Sequence, residues 1–326
     1  MMRTNWLREA KWGVFIHYLT GAETTSEEWN AMIDGFKAEE LARQLESVGA
    51  SYFFITIGQT SGHYCAPNAT YDEIARVYPS KCSRRDLVSD LYDALSPKGI
   101  RLMVYMPSEG PSVQPEKDRF GYKYCYVTDE NGRRVQPLRF TGERLVEFQL
   151  KWQAVIREWS LLWGKKVSGW WVDSCYAADA MYRFPDAPNF KSFADALRAG
   201  NPDALVAFNP GVKTPVIRWS EEDDYTAGEI MGALPVGDFA RDADKKRGAD
   251  RFDSISADVD GAQYHILSHL GKYWSSGAPR FPDELVAGYT RFVIEHGGAI
   301  TWDVPKLENG LIPNEYIRQL SLLKYL

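Results

Sequence analysis

Short apolar stretches rich in β-branched and aromatic residues recur along the chain. They alternate with segments whose apolar residues fall three and four apart, which is the written form of repeated strand and helix units. Eight strands are predicted: Gly13 to His17, Tyr52 to Ile57, Ile100 to Met106, Ser168 to Asp173, Ala204 to Asn209, Tyr225 to Ile230, Tyr264 to Leu270 and Ala299 to Val304. Between them, Ala38 to Val48 sets Leu41, Leu45 and Val48 on one helical face, and Arg85 to Leu95 repeats the device with Leu87, Val88, Leu91 and Leu95. Helices are predicted also over Leu145 to Trp163, Asn189 to Ala199, Pro282 to His296 and Pro313 to Leu326. Strands this apolar must be covered on both faces, so a parallel sheet wrapped by helices is expected. Eight such units fit an α/β fold of the closed (β/α)8 TIM-like barrel type, as a single domain over residues 1–326. An open doubly wound sheet is the alternative. Against it, no GxGxxG or phosphate loop follows any strand, whereas polar or ionisable residues end several strands, where a barrel keeps its chemistry. The long segments Gly58 to Arg84, Pro107 to Thr141 and Gly232 to Gly261 follow strands two, three and six and are expected to wall a site.

Composition adds the kind of partner. Hydrophobic residues make up 44% and charged residues 25% of the chain, a profile that excludes a structureless protein. The aromatic share, 13%, exceeds what a core of this size needs; surplus flat rings serve as stacking floors for sugars, or they fill a wide core. A formal charge of −6, with no like-charge run longer than Glu221 to Asp224, argues against nucleic acid and anionic membrane as partners. The opening MMRTNWLREAKWG lacks the apolar stretch of a secretory leader, and no window reaches 18 uninterrupted apolar residues. The expectation is a soluble chain, cytoplasmic, or periplasmic or secreted where a leader has been removed. Cys65, Cys82, Cys125 and Cys175 lie far apart without a CxxC, so neither a zinc site nor a disulfide framework is indicated, and no cofactor or metal is expected. Nothing in the chain specifies an oligomeric state.

Candidate chemistry sits at strand ends. The fourth strand closes as GWWVDSCY, and residues two apart on a strand share a face, so the Trp171 ring and the Asp173 carboxylate point the same way. An aromatic wall beside a carboxylate suits attack on a sugar carbon; a helix N-cap is the plainer role for such an Asp. Glu229, in DDYTAGEI, ends the sixth strand, and paired carboxylates from different strands are what glycoside cleavage requires, although a solvated loop glutamate is the alternative. His17 closes the first strand, where it could reach a sugar hydroxyl or orient a carboxylate, or serve as a core histidine satisfied by backbone. The pair His265 and His269 lacks the glutamate of HExxH, and no serine stands in GxSxG.

Several segments together resemble the α-L-fucosidases of glycoside hydrolase family 29. NWLREAKWGVFIHY is similar to that family's Trp-Phe-Arg-x-Ala-Lys-Phe-Gly-x-Phe-Ile-His-Trp opening, and Glu28-Trp29 to the Glu-Trp that follows it. VGASYFFIT and SRRDLVSDLYDALSPKGIRLMVYM resemble its second strand, Arg-Asp helix and third strand. GWWVDS resembles the Trp-x-Asp nucleophile segment, DDYTAGEI the acid/base segment, and GGAITWDVPKLENGLIP the Gly-Gly-Asn-x-Leu-Leu-Asn-x-x-Pro end. The resemblance implies Asp173 as nucleophile and Glu229 as general acid/base. It also implies sugar contacts from His17, Glu28, Trp29, Tyr105, Trp171 and Trp302. Where the family has adjacent histidines after its second strand, this chain reads Gly58-Gln59-Thr60-Ser61-Gly62, which puts Gln59 and Thr60 at the sugar and leaves His63 as a partial substitute. The family's usual trailing β-sandwich is not recognised in these residues, so a catalytic barrel alone is expected. The function implied is a retaining exo-glycosidase that removes a terminal α-L-fucose or a related sugar from a carbohydrate partner. The changed histidine positions favour another glycoside, and a non-catalytic sugar-binding barrel is the competitor from outside enzymes.

Overall fold

The computed structural model describes residues 3–131, 133–135, 139–232, 234–236 and 257–326. Most of the long segment expected after the sixth strand therefore lies outside the described residues. Seven of the eight predicted strands form, within one residue of the predicted bounds: β1 (Trp12–Ile16), β2 (Tyr52–Thr56), β3 (Arg101–Pro107), β4 (Gly169–Asp173), β5 (Leu205–Phe208), β6 (His265–His269) and β7 (Ala299–Asp303). They pair in parallel in the order β5-β4-β3-β2-β1-β7-β6, a curled sheet with an inner and an outer face.

The two faces carry two separate apolar clusters, as the two-residue period of a strand dictates. Phe15, Tyr52, Phe54, Met103, Tyr105, Trp171, Leu205, Ala207 and Leu267 fill the inner face. Val14, Phe53, Val104, Trp170, Val206, Ile266 and Trp302 face outward into the helices. One of those helices, Ala38–Val48, buries Leu41, Ala42, Leu45 and Val48 as its spacing predicts and ends on Gly49 in the left-handed region. Others are trimmed at their starts because the first predicted residues are caps: Asp86 accepts the Ser89 amide ahead of Leu87–Leu95, and Asn189 forms a capping box with Ser192 ahead of Phe190–Leu197. Ser26–Asp34 is helical in addition, opened by a capping box between Thr25 and Glu28. Among the described residues no helix is long and apolar enough to cross a membrane.

The predicted sixth strand, Tyr225 to Ile230, does not form a regular strand, and two local features explain why. On the β6 side it makes only isolated parallel bridges, Tyr225 with Gln263 and Glu229 with Leu267. Gly228 between them sits at φ +64°, which takes the backbone out of the extended region, and it approaches so closely that a Cβ there would stand 1.9 Å from the His265 carbonyl oxygen. On the β5 side, side chains stand in for a ladder. The Val206 amide donates to Asp224 Oδ2 at 3.0 Å and the Phe208 amide to Asp223 Oδ1 at 2.8 Å. The acidic run Glu221 to Asp224 thus serves in part as an edge cap on β5.

Gly228→Ala is expected to be among the most damaging small substitutions in the chain. The left-handed φ alone costs about 1–2 kcal/mol, and relieving the clash with β6 adds to it. The check is thermal unfolding, where a clear fall in Tm is expected; a Tm equal to that of the unaltered protein would show that the segment can move away from β6 freely.

Candidate active site

A pocket of about 440 Å³ opens at the carboxyl ends of the strands. Its floor is the inner-face layer of Phe15, Tyr105, Trp171 and Leu267, in which the Tyr105 and Trp171 rings stack at 5.4 Å and 20°. These two residues are register partners on β3 and β4, so the stack follows from the pairing. The Trp171 indole is fixed by donating to the Ala227 carbonyl at 2.9 Å, which ties β4 to the irregular sixth segment.

Asp173 and Glu229 both line this pocket. Asp173 Oδ2 accepts the Tyr105 hydroxyl at 2.6 Å, and Oδ1 accepts the Ser174 amide at 2.7 Å and Asn209 Nδ2 at 2.8 Å, with the Tyr176 hydroxyl at 3.4 Å. Every one of these partners is a donor, the arrangement that an acceptor-only carboxylate satisfies. Ser174 reaches its place through a left-handed backbone at φ +64°, a turn that folds its amide back onto the carboxylate. Glu229 Oε2 accepts from the same Asn209 Nδ2 at 2.7 Å. Burial and the negative charge of Asp173 push the Glu229 carboxyl up to about 7, against the opposing pull of the Asn209 hydrogen bond. Asp173 is thus held by four donors, whereas the Glu229 carboxyl is pushed towards its neutral form.

Asn209 is the residue that the sequence reading missed. It follows β5, is fully buried, and is fixed by its own amide donating to the Val172 carbonyl at 2.7 Å. Its signal in the sequence was the one that identified Asp173: a polar residue closing an apolar strand, in phase with the inner face. Also missed were Trp274, Ser275 and Lys306, which line the pocket from segments that carry no strand-end signal. A further buried carboxyl, Glu109, stands just past β3 and is pushed up to about 7, mainly by burial and partly by Asp173.

The other expected site residues divide cleanly. His17 lines the pocket, with its Nδ1 2.7 Å from Asp303 Oδ1. Gln59 lines it as well and donates from Nε2 to the Tyr105 hydroxyl at 2.9 Å, so a chain of hydrogen bonds runs from Gln59 through Tyr105 to Asp173. Thr60 does not line it; its carbonyl accepts the Ser112 amide at 2.9 Å. His63 is buried beside Trp29, at 6.0 Å between rings, where burial and Lys81 push its imidazole down to about 4. Trp29 is a core residue that donates to the Tyr64 carbonyl at 2.9 Å, and Glu28 is spent on the capping box, its Oε2 accepting the Thr25 amide at 2.8 Å. Trp302 is one residue out of phase: it faces the helices and donates to Thr290 Oγ1 at 2.9 Å, while its neighbour Asp303 takes the inner face. His265 and His269 lie on β6 without forming a metal cluster, and none is present among the described residues.

No family model matches the chain, and no curated protein matches it in sequence. Solved structures do. An endo-fucoidan hydrolase of glycoside hydrolase family 107, MfFcnA4, superposes with a TM-score of 0.70 at 19% identity over 99% of this chain and 53% of that one. The chain thus spans about half the length of that enzyme. A putative α-L-fucosidase from Bacteroides thetaiotaomicron gives 0.66 at 13% identity, over all of this chain and 67% of that one. An α-L-fucosidase from Lactobacillus casei, AlfC, solved with its α-L-fucose product, gives 0.62 at 14% identity, over 99% and 97%. These likenesses establish the fold. The same fold occurs in both groups, so it does not single out family 29.

Proposed function

We propose that this protein is a glycoside hydrolase acting on a fucosyl or closely related sugar, and that it works by double displacement with retention at the anomeric carbon. The observation that carries the reading is the Asn209 bridge. Because one nitrogen lies 2.8 Å from an Asp173 oxygen and 2.7 Å from a Glu229 oxygen, those oxygens are no more than about 5.5 Å apart, which supports the close spacing of retaining enzymes over the roughly 6.5–9.5 Å between carboxyl groups of inverting ones. Asp173 attacks the anomeric carbon while the bond to the leaving oxygen breaks and Glu229 delivers its proton to that oxygen. In the second step Glu229, now a carboxylate, takes a proton from water, whose oxygen displaces Asp173. Tyr105 and Trp171 offer the apolar floor for the ring, and His17 and Gln59 offer polar contacts at its edge. Neither step calls for a metal or cofactor.

The fold likeness to endo-fucoidan hydrolases favours a second reading, cleavage within a polymer rather than release of a terminal sugar. A panel of nitrophenyl α- and β-glycosides that includes the L-fucoside, run beside fucoidan, separates the two. Aryl glycoside turnover with release of single sugars supports exo-action, and fucoidan shortening without it selects endo-action. Failure of every substrate removes the hydrolase reading. The anomer first released, followed by proton NMR, tests retention.

Gln59 is the position expected to set specificity, alone and not with Thr60. An amide reaches less far than an imidazole and cannot carry charge, so activity on simple aryl α-L-fucosides is expected to be weak. Gln59→His is expected to shift the kcat/KM ratio between the L-fucoside and the preferred substrate by about tenfold or more. An unchanged ratio would assign specificity to another wall.

A further inference from the structure

The double displacement leaves one group of pocket side chains without a part. Asp303 closes β7 fully buried, in register with Phe15, and takes the inner face. Its Oδ1 stands 2.7 Å from His17 Nδ1 and accepts the Ser275 hydroxyl at 2.8 Å, while Oδ2 accepts the Ser275 amide at 2.6 Å. Ser275 Oγ in turn lies 2.9 Å from His17 Nδ1 and accepts the His17 amide at 3.2 Å. A carboxylate only accepts, so the neutral imidazole must carry its proton on Nδ1, and Nε2 is left as the ring nitrogen free to meet a ligand. Ser275 sits in the tip of the hairpin formed by Gly271–Tyr273 and Ser276–Pro279, at φ +52°, a backbone region that side chains disfavour. Its neighbour Trp274 lines the pocket with its ring 5.9 Å from His17 and 4.7 Å from His269. One carboxylate therefore holds a ring orientation and an unfavourable turn together.

We propose that Asp303 and Ser275 are positioning residues: a latch that fixes His17 with Nε2 as an acceptor for a sugar hydroxyl and holds Trp274 on the same wall, so that the two contacts are set as a unit. The proposal rests on the hydrolase reading only in naming a sugar hydroxyl as the group that His17 meets. Asp303→Asn tests the first half, because an amide of almost the same shape can donate to Nδ1 and so favours the opposite tautomer. In ¹⁵N-histidine NMR at a pH where the ring is neutral, with His17 assigned by its loss in His17→Gln, the unaltered protein should show Nδ1–H and Asp303→Asn should show Nε2–H. Ser275→Gly tests the second half, since glycine suits φ +52° but lacks the hydroxyl. Its Tm should hold or rise, yet the Trp274 indole signal, assigned by its loss in Trp274→Phe, should move. KM for whichever aryl glycoside is turned over should increase about tenfold with a smaller change in kcat.

An Nε2–H tautomer in the unaltered protein, or an unchanged tautomer in Asp303→Asn, overturns the latch whatever the activity. An unmoved indole signal and unchanged KM in Ser275→Gly overturn the coupling. The tautomer and indole shifts appearing in a protein that turns over no glycoside would sink the hydrolase reading and leave the latch standing.

Discussion

Asp173→Asn is expected to lower kcat by at least about 10³-fold while the fold and sugar binding survive, because a nucleophile takes part in both displacements. The substitution nearly preserves shape, but it puts an amide among four donors: the Tyr105 and Tyr176 hydroxyls, the Ser174 amide and Asn209 Nδ2. Any orientation of the new NH₂ turns it towards at least one of them, so a small loss of Tm is expected beside the kinetic loss. The diagnostic measurement is rescue. A small external anion such as azide should restore part of the rate and give a glycosyl product of inverted configuration, since it attacks from the side that Asp173 vacates. Turnover within tenfold of the unaltered protein would remove Asp173 from the role.

Glu229→Gln is expected to lower kcat by roughly 10²–10⁴-fold on substrates with a poor leaving group and far less on an activated aryl glycoside, whose oxygen departs without a proton. The pH dependence supplies the sign. A general acid must hold its proton, and burial with the charge of Asp173 places the Glu229 carboxyl at about 7, so kcat/KM of the unaltered protein should fall as pH rises through about 7. That alkaline limb should disappear in Glu229→Gln. Glu109 is the competing source, because burial raises it to about 7 as well. A limb that persists in Glu229→Gln and vanishes in Glu109→Gln would transfer the acid role to Glu109. Ionic strength should move the limb little, because the groups responsible lie in the pocket rather than at the surface.

Much of this protein was written in its hydrophobic pattern. Seven strands and six helices appear where short apolar runs and the helical spacing of apolar residues place them, since both are local properties that a sequence window can carry. Position at a strand end singled out Asp173 and His17, and the two-residue period put Trp171 on the same face as Asp173; all three line the pocket. Three kinds of fact belonged to the tertiary structure. The sixth strand failed because Gly228 presses against the His265 carbonyl and because Asp223 and Asp224 bond β5 through side chains, contacts between segments distant in sequence. The sorting of Trp302 outward and Asp303 inward turned on a phase of one residue, which a run apolar on both faces does not specify. The Asn209 bridge, the pocket wall from Trp274 and Ser275, and the diversion of Glu28 and Trp29 to a helix cap and the core depended on which strand ends meet across the curled sheet. The two-residue period of a strand fixes which of its side chains share a face; only the packing of the curled sheet decides which face turns inward and what it meets there.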